Sequence, residues 1–210
     1  MRIIVFLLIS SFIFCAAAIG QENVRLTKGS PIDFYKEEVT LMVSDSIASI
    51  SGVYWFRNST DIEIPYPVSF PFYVDSTIYY PDQISAYTIS DSVTDKIPFL
   101  KYKIANSVGL RIPMVAKGTT IWHLNYSQKI LSPHARYILT TTAAWGKPLE
   151  EAKYKFIVPV SFDSVQVWPS PDSFTTTGDL KTYWSFNANY MPKRDMEISW
   201  KAKQGADTLH

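Results

Sequence analysis

Gly118–Pro159 reads GTTIWHLNYSQKILSPHARYILTTTAAWGKPLEEAKYKFIVP. Between Thr119 and Ser127, Thr120, Trp122, Leu124 and Tyr126 share one parity, and Ile121, His123 and Asn125 share the other. Side chains of an extended chain alternate between two faces, so this period of two predicts a strand with one face toward a core. Arg136–Thr142, rich in β-branched and aromatic residues, predicts a second strand. Trp145-Gly146-Lys147-Pro148 breaks it, and Pro148–Ala152 has room for one helical turn. Tyr154, Phe156 and Val158 then alternate with Lys153, Lys155 and Ile157, a third strand with one apolar face. Upstream, Val108, Leu110, Ile112 and Met114 alternate with Gly109, Arg111 and Pro113. The Lys117-Gly118 turn predicts that this strand pairs with Thr119–Ser127 as an antiparallel hairpin.

The same pattern extends outward. Val39, Leu41 and Val43 oppose Glu38, Thr40 and Met42, and Ala48, Ile50, Tyr54 and Phe56 form the apolar parity of Ile47–Asn58. Asp61–Val74 contains Pro65, Pro67 and Pro71, which lack the ladder N–H, so it predicts an edge strand or an extended crossover. Gln83–Ser90, Ile97–Ile104 and Val165–Trp168 are further strands. A last hairpin is predicted from Thr182–Ala188, with Trp184 and Phe186 inward, and Met196–Ala202, with Met196, Ile198 and Trp200 inward. Five Asp-Ser pairs, at Asp45, Asp75, Asp91, Asp163 and Asp172, read as turns in which the side chains bond the nearby backbone.

The sum is about ten short strands with almost no helical period. It predicts an all-β fold, an antiparallel β-sandwich of immunoglobulin-like or elaborated two-sheet form. A closed barrel is the alternative. Lysines alternating through Tyr154–Val158 argue against a barrel in lipid. The expected organisation is a signal peptide at 1–20, a loosely ordered segment at 21–35, the sandwich domain at 36–203 and a tail at 204–210.

Arg2, the apolar run Ile3–Phe14 and the small residues ending at Ala18-Ile19-Gly20 form the signal-peptide pattern, with cleavage before Gln21 and export to periplasm, outer surface or medium. The one cysteine, Cys15, lies inside it, and Phe14 stands where a lipid-attachment signal wants a small residue. The mature chain therefore has no disulfide, thiolate metal site or thiol nucleophile. Its 19 basic and 19 acidic residues cancel once Arg2 is removed, which excludes the basic excess of a nucleic-acid groove. No second apolar run is long enough to span a bilayer. The aromatic content of 15%, with 13 Tyr and 6 Trp, fits an extracellular all-β domain.

Candidate chemistry is sparse. His123 falls on a strand, His134 on a predicted loop and His210 at the end of the chain, with no paired-histidine spacing and no nucleophile elbow. Glu37-Glu38 and Glu150-Glu151 are neighbours that point to opposite faces, and Asp61 and Glu63 share one. All six read as exposed charge. No catalytic residue, metal ligand or cofactor is assigned. Trp145 beside Gly146, Trp168 before Pro169 and Tyr80 in Tyr79-Tyr80-Pro81 are the binding candidates, since flat rings stack on sugars or anchor interfaces. The competing role of such rings is to cap the open ends of the fold.

Tyr54-Trp55-Phe56-Arg57-Asn58, together with Tyr126-Ser127-Gln128, Arg136–Thr142, Trp145 and Pro148-Leu149-Glu150, resembles bacterial secreted β-sandwich proteins grouped as domains of unknown function. The resemblance covers about half the chain and implies an exported, non-enzymatic domain; it brings no catalytic residues. The expected partner is another envelope protein, met by protein–protein contact. A polysaccharide bound on Trp145, Trp168 or Tyr80 is the alternative. A hydrolase through His134 or an acidic pair is a third reading.

Overall fold

The computed structural model describes residues 30–90 and 93–201. The predicted signal peptide and C-terminal tail lie outside these residues. Among the described residues fourteen strands are present, rather than about ten. In chain order they are β1 (Ile32–Val43), β2 (Ile47–Asn58), β3 (Ile64–Pro71), β4 (Gln83–Ser90), β5 (Val93–Lys96), β6 (Phe99–Tyr102), β7 (Ser107–Met114) and β8 (Thr119–Lys129). There follow β9 (His134–Tyr137), β10 (Leu149–Pro159), β11 (Asp163–Trp168), β12 (Ser173–Thr177), β13 (Leu180–Tyr190) and β14 (Met196–Lys201). The surplus comes from short pieces that carry no alternation of their own, such as the wholly exposed SFTTT of β12.

Eight strands form one large sheet in the order β12-β13-β10-β1-β2-β8-β4-β5. Two three-stranded sheets, β11-β14-β9 and β3-β7-β6, complete the fold. The pairing is antiparallel except between β1 and β10, which run parallel in the centre of the large sheet. Parallel neighbours need a long crossover, and here half of the chain lies between the two strands.

Side chains from all three sheets meet in one core. Val39, Leu41, Tyr54, Phe56, Trp122, Leu124, Tyr154 and Phe156 come from the large sheet. Ile112 and Met114 come from β7, and Met196 and Ile198 from β14. Phe70 of β3 sits edge-on to Tyr54 at 5.9 Å and to Trp122 at 6.3 Å. The Tyr54 and Tyr137 hydroxyls bond at 2.9 Å, joining β2 to β9.

Several local expectations hold. The apolar parities of β1, β2, β7, β8, β10 and β14 are the buried ones. Proline-bearing β3 is an edge strand. Asp75 Oδ1 accepts bonds from the Thr77 and Ile78 amides at 2.7 and 2.9 Å, the turn chemistry read from Asp-Ser.

Others are corrected. β1 begins at Ile32, inside the stretch predicted to be loose, and Ile32 and Phe34 are buried. A bulge at Tyr35 reverses the parity, so Phe34 and Glu37 face the same core. β7 and β8 are not a hairpin. They belong to different sheets, and the turn between them carries the chain from one to the other, tied by Thr120 Oγ1 to the Val115 amide at 3.0 Å. The second predicted strand is shorter, since Thr140–Trp145 is a 3-10 helix ended by Gly146 at φ 75°. The expected helical turn at Pro148–Ala152 is instead the start of β10. Gly178 joins β12 to β13, whereas β13 and β14 lie in separate sheets.

Candidate functional site: the open face and edge of the large sheet

The face of the large sheet turned away from the core carries half-buried and exposed side chains throughout. Cross-strand register sorts them into rows, because residues directly opposite share a face. One row is Met42, Ser49, Ser127 and Gln83, on β1, β2, β8 and β4. The next is Thr40, Ser51, Asn125 and Ser85 on the same four strands. Together they line a trough of about 570 Å³ that also touches Ile157. Beyond it stands a row of Val53, His123 and Tyr87, in which the His123 and Tyr87 rings stack at 4.8 Å. Partial burial lowers the His123 pKa. Asn125 Nδ2 donates to Tyr87 Oη at 3.3 Å.

Toward the centre, Lys36 and Lys153 alternate with Glu38 and Glu151 in a closed ring of four ion pairs between 2.8 and 3.2 Å. Hydrogen bonds from Lys153 and Lys36 hold the Glu151 carboxyl below its ordinary pKa. Such exposed pairs each contribute little, on the order of 0–1 kcal/mol.

At the far end, Trp184 and Phe186 stack on the open face at 6.5 Å, with Lys155 Nζ 4.7 Å from the Trp184 ring. This corrects the prediction that both face inward. Phe156 is buried on β10, so its partner Tyr183 on β13 is the inward residue and Trp184 points out.

The outermost strand, β12, differs from the five other outer strands of the three sheets. β3 carries three prolines and β5 carries Asp95 and Lys96. β6 carries Lys101, β9 carries Arg136, and β11 carries Asp163 and a register shift. Prolines, charges and irregularities are how proteins keep edges from pairing with other chains. β12 has none of these: Ser173–Thr177 is uncharged, pairs with β13 without a shift, and exposes every residue. Around it Phe174, Phe186 and Leu180 are 60%, 54% and 43% exposed.

The three aromatic candidates are not brought together. Trp145 is half-buried against Phe34, Phe56 and Tyr66, with ring centroids 5.1 to 6.0 Å apart. Trp168 lies on β11 under Arg194, 4.7 Å away. Tyr80 packs on Phe72 and donates to the Ser107 carbonyl at 3.0 Å, beside Lys101, Lys103 and Lys129.

Glu37, expected from its sequence neighbourhood to be exposed charge, is instead 1% exposed, its Oε1 accepting the Tyr154 hydroxyl at 2.6 Å. Burial, offset only in part by that bond, raises its pKa from 4.5 to about 7. His134 opposes Ser199 at the start of β9, apart from Glu37 on β1. Among the described residues no group of three His, Cys, Asp or Glu is placed to hold a metal. No helix there is long and apolar enough to cross a membrane.

No family model and no curated protein sequence matches the chain. Its fold is similar to that of a proposed nutrient-binding protein of Legionella pneumophila, at TM-score 0.61 and 12% identity over 81% of this chain and 67% of that one. It is also similar to part of a two-domain M1 zinc metallopeptidase bound to L-tryptophan, at TM-score 0.50 and 10% identity. That match covers 81% of this chain and 43% of the metallopeptidase. At these identities the likeness is one of fold.

Proposed function

We propose that the chain is an exported, non-catalytic β-sandwich protein of the cell envelope that acts by protein–protein contact, accepting an extended segment of a partner along β12. The sandwich reading, in an elaborated two-layer form, is supported by the single core shared by the large sheet and the two small ones. The observation that carries the function is the contrast among edges. Five outer strands are guarded, and among the described residues β12 presents an unpaired row of backbone donors and acceptors beside exposed Phe174 and Leu180. Strand addition draws affinity from the main chain and selectivity from alternate side chains, which suits this edge. The metallopeptidase neighbour, in which a similar fold is joined to further protein, lends support.

The test is capture of partners from envelope extract by the wild-type chain and by Phe174→Lys, which places a charge on an exposed position of the edge. Hydrogen exchange follows Ser173–Thr177 in the captured complex. The expected result is a partner lost in the variant, with slowed exchange in those amides. Equal capture by both proteins, or unchanged exchange, overturns the proposal. Concentration-dependent dimerisation without a second protein overturns the hetero-partner.

A further inference from the structure

We infer that the trough on the open face of the large sheet is a binding site for a neutral, extended saccharide. The site is distinct from the β12 edge and does not depend on it. Its floor is a grid two residues deep and four strands wide: Met42, Ser49, Ser127 and Gln83 beside Thr40, Ser51, Asn125 and Ser85. Strand spacing makes the grid about 14 Å long across the strands, with rows roughly 7 Å apart.

Seven of the eight side chains are hydroxyls or amides. Asn125 bonds Tyr87. Among the described residues the other six have no side-chain hydrogen bond, so their donors and acceptors stand free on a rigid backbone. Small side chains make the floor low, and Met42 with Ile157 closes the β1 and β10 end. The stacked Tyr87 and His123 rings border one long side.

The lining selects among ligand classes. It includes no charged residue, and the nearest cation in register, Lys155 opposite Thr40, is engaged 4.7 Å from the Trp184 ring, so the floor itself offers an acidic ligand no counter-charge. Its apolar contributions come from Met42 and Ile157 with parts of Ile50, Ile84 and Tyr126, and they are interrupted by seven polar side chains, unlike the continuous apolar wall that an acyl chain needs. A peptide adding as a strand needs an open sheet edge, and β1, β2 and β8, which carry six of the eight side chains, are each paired on both sides. A polyhydroxylated neutral chain matches hydroxyl and amide groups that both donate and accept. The position also differs from Trp145, Trp168 and Tyr80, none of which lines the trough.

Isothermal titration of the mature protein with neutral gluco-, xylo-, manno- and galacto-oligosaccharides, and with uronate oligomers as the acidic arm, tests this. Ser51→Val fills an exposed floor position with a good strand former, and Asn125→Ala removes the central amide. Binding of at least one neutral series is expected, weakened about tenfold or more by either variant. Amide shifts in the spectrum should concentrate at 49–51, 83–85 and 125–127. Phe174→Lys should leave this binding unchanged, which separates it from strand addition. No neutral binding at millimolar concentration overturns the inference. So does binding of uronates alone, or binding that both floor variants retain while their thermal unfolding matches wild type.

Discussion

The Tyr154 hydroxyl donates a 2.6 Å hydrogen bond to Glu37 Oε1, across the parallel pair of β1 and β10 in the middle of the core. A carboxyl in this position favours its neutral form, because burial penalises the charge more than one phenol relieves it. In the unfolded chain Glu37 titrates at its ordinary 4.5, and in the fold at about 7. Below pH 4.5 both states are protonated and the group has no effect on stability. As pH rises toward 7 the unfolded state releases its proton first, and the fold loses stability. The gap corresponds to roughly 3 kcal/mol at about 1.36 kcal/mol per pH unit. Chemical denaturation at pH 5 and pH 8 should show the midpoint falling, and Glu37→Gln should remove most of that fall. A Gln variant with the wild-type slope contradicts the assignment.

Asp195 should behave in the opposite sense. Its Oδ1 accepts the Leu139 and Thr140 amides at 3.1 and 3.0 Å and the Thr140 hydroxyl at 2.8 Å. Its Oδ2 takes Arg136 Nε and Nη2 at 3.0 and 2.8 Å. Burial alone would raise its pKa, but the Thr140 and Arg136 bonds hold it below the ordinary 3.8. Its stabilisation is therefore present above the unfolded value and is lost only as pH falls below about 3.8 through the folded one. Asp195→Ala removes the acceptor of five hydrogen bonds and should cost roughly 1–3 kcal/mol in urea denaturation, the penalty for leaving the Leu139 and Thr140 donors unpaired, since part-exposed Arg136 keeps Glu197 as a partner. Glu37 and Asp195 together therefore favour the fold most between the two titrations, at mildly acid pH.

How far the sequence discloses these features depends on whether they live in one strand or between strands. Alternation within β8 and β10 predicts their buried faces, since it needs only the period of two. The burial of Phe34 and Glu37 escapes that reading because the bulge at Tyr35 breaks the period where the strand continues. Trp184 and Phe186 mislead for a related reason. They are the more apolar parity of β13, but facing is set by the partner Phe156, two strands' worth of sequence away. The grid was partly visible as small polar residues on one parity of β2 and β8. Its assembly requires the order β1-β2-β8-β4, which no local pattern encodes.

Trp145 is expected to matter for stability. It wedges between Phe34, Phe56 and Tyr66, joining β1 and β2 to β3 through the 3-10 helix. Trp145→Ala should cost about 2–3 kcal/mol, somewhat below a fully buried tryptophan, because the ring is only half-buried. The same variant should retain any oligosaccharide affinity at temperatures where it is folded. Loss of sugar binding with an unchanged melting curve would return Trp145 to the role of a stacking platform.

Gly52 offers the sharpest test of the core. It lies on β2 two residues before Tyr54, whose ring folds back over it, and a Cβ at Gly52 would collide with the Tyr54 hydroxyl and ring. An exposed tyrosine would swing aside at little cost. Here the hydroxyl is bonded to Tyr137 at 2.9 Å and the ring is stacked on Trp122 at 4.6 Å and edge-on to Phe70 at 5.9 Å. Relief therefore requires breaking the tie between the large sheet and β9 or displacing Trp122. Gly52→Ala should destabilise by roughly 1–3 kcal/mol, as overpacking does in a dense interior. If the collision is the cause, Tyr54→Leu, which removes the offending ring end, should lower the cost of Gly52→Ala in a double-mutant cycle. Additive losses in that cycle would mean that the glycine serves the strand backbone and leaves room for nothing.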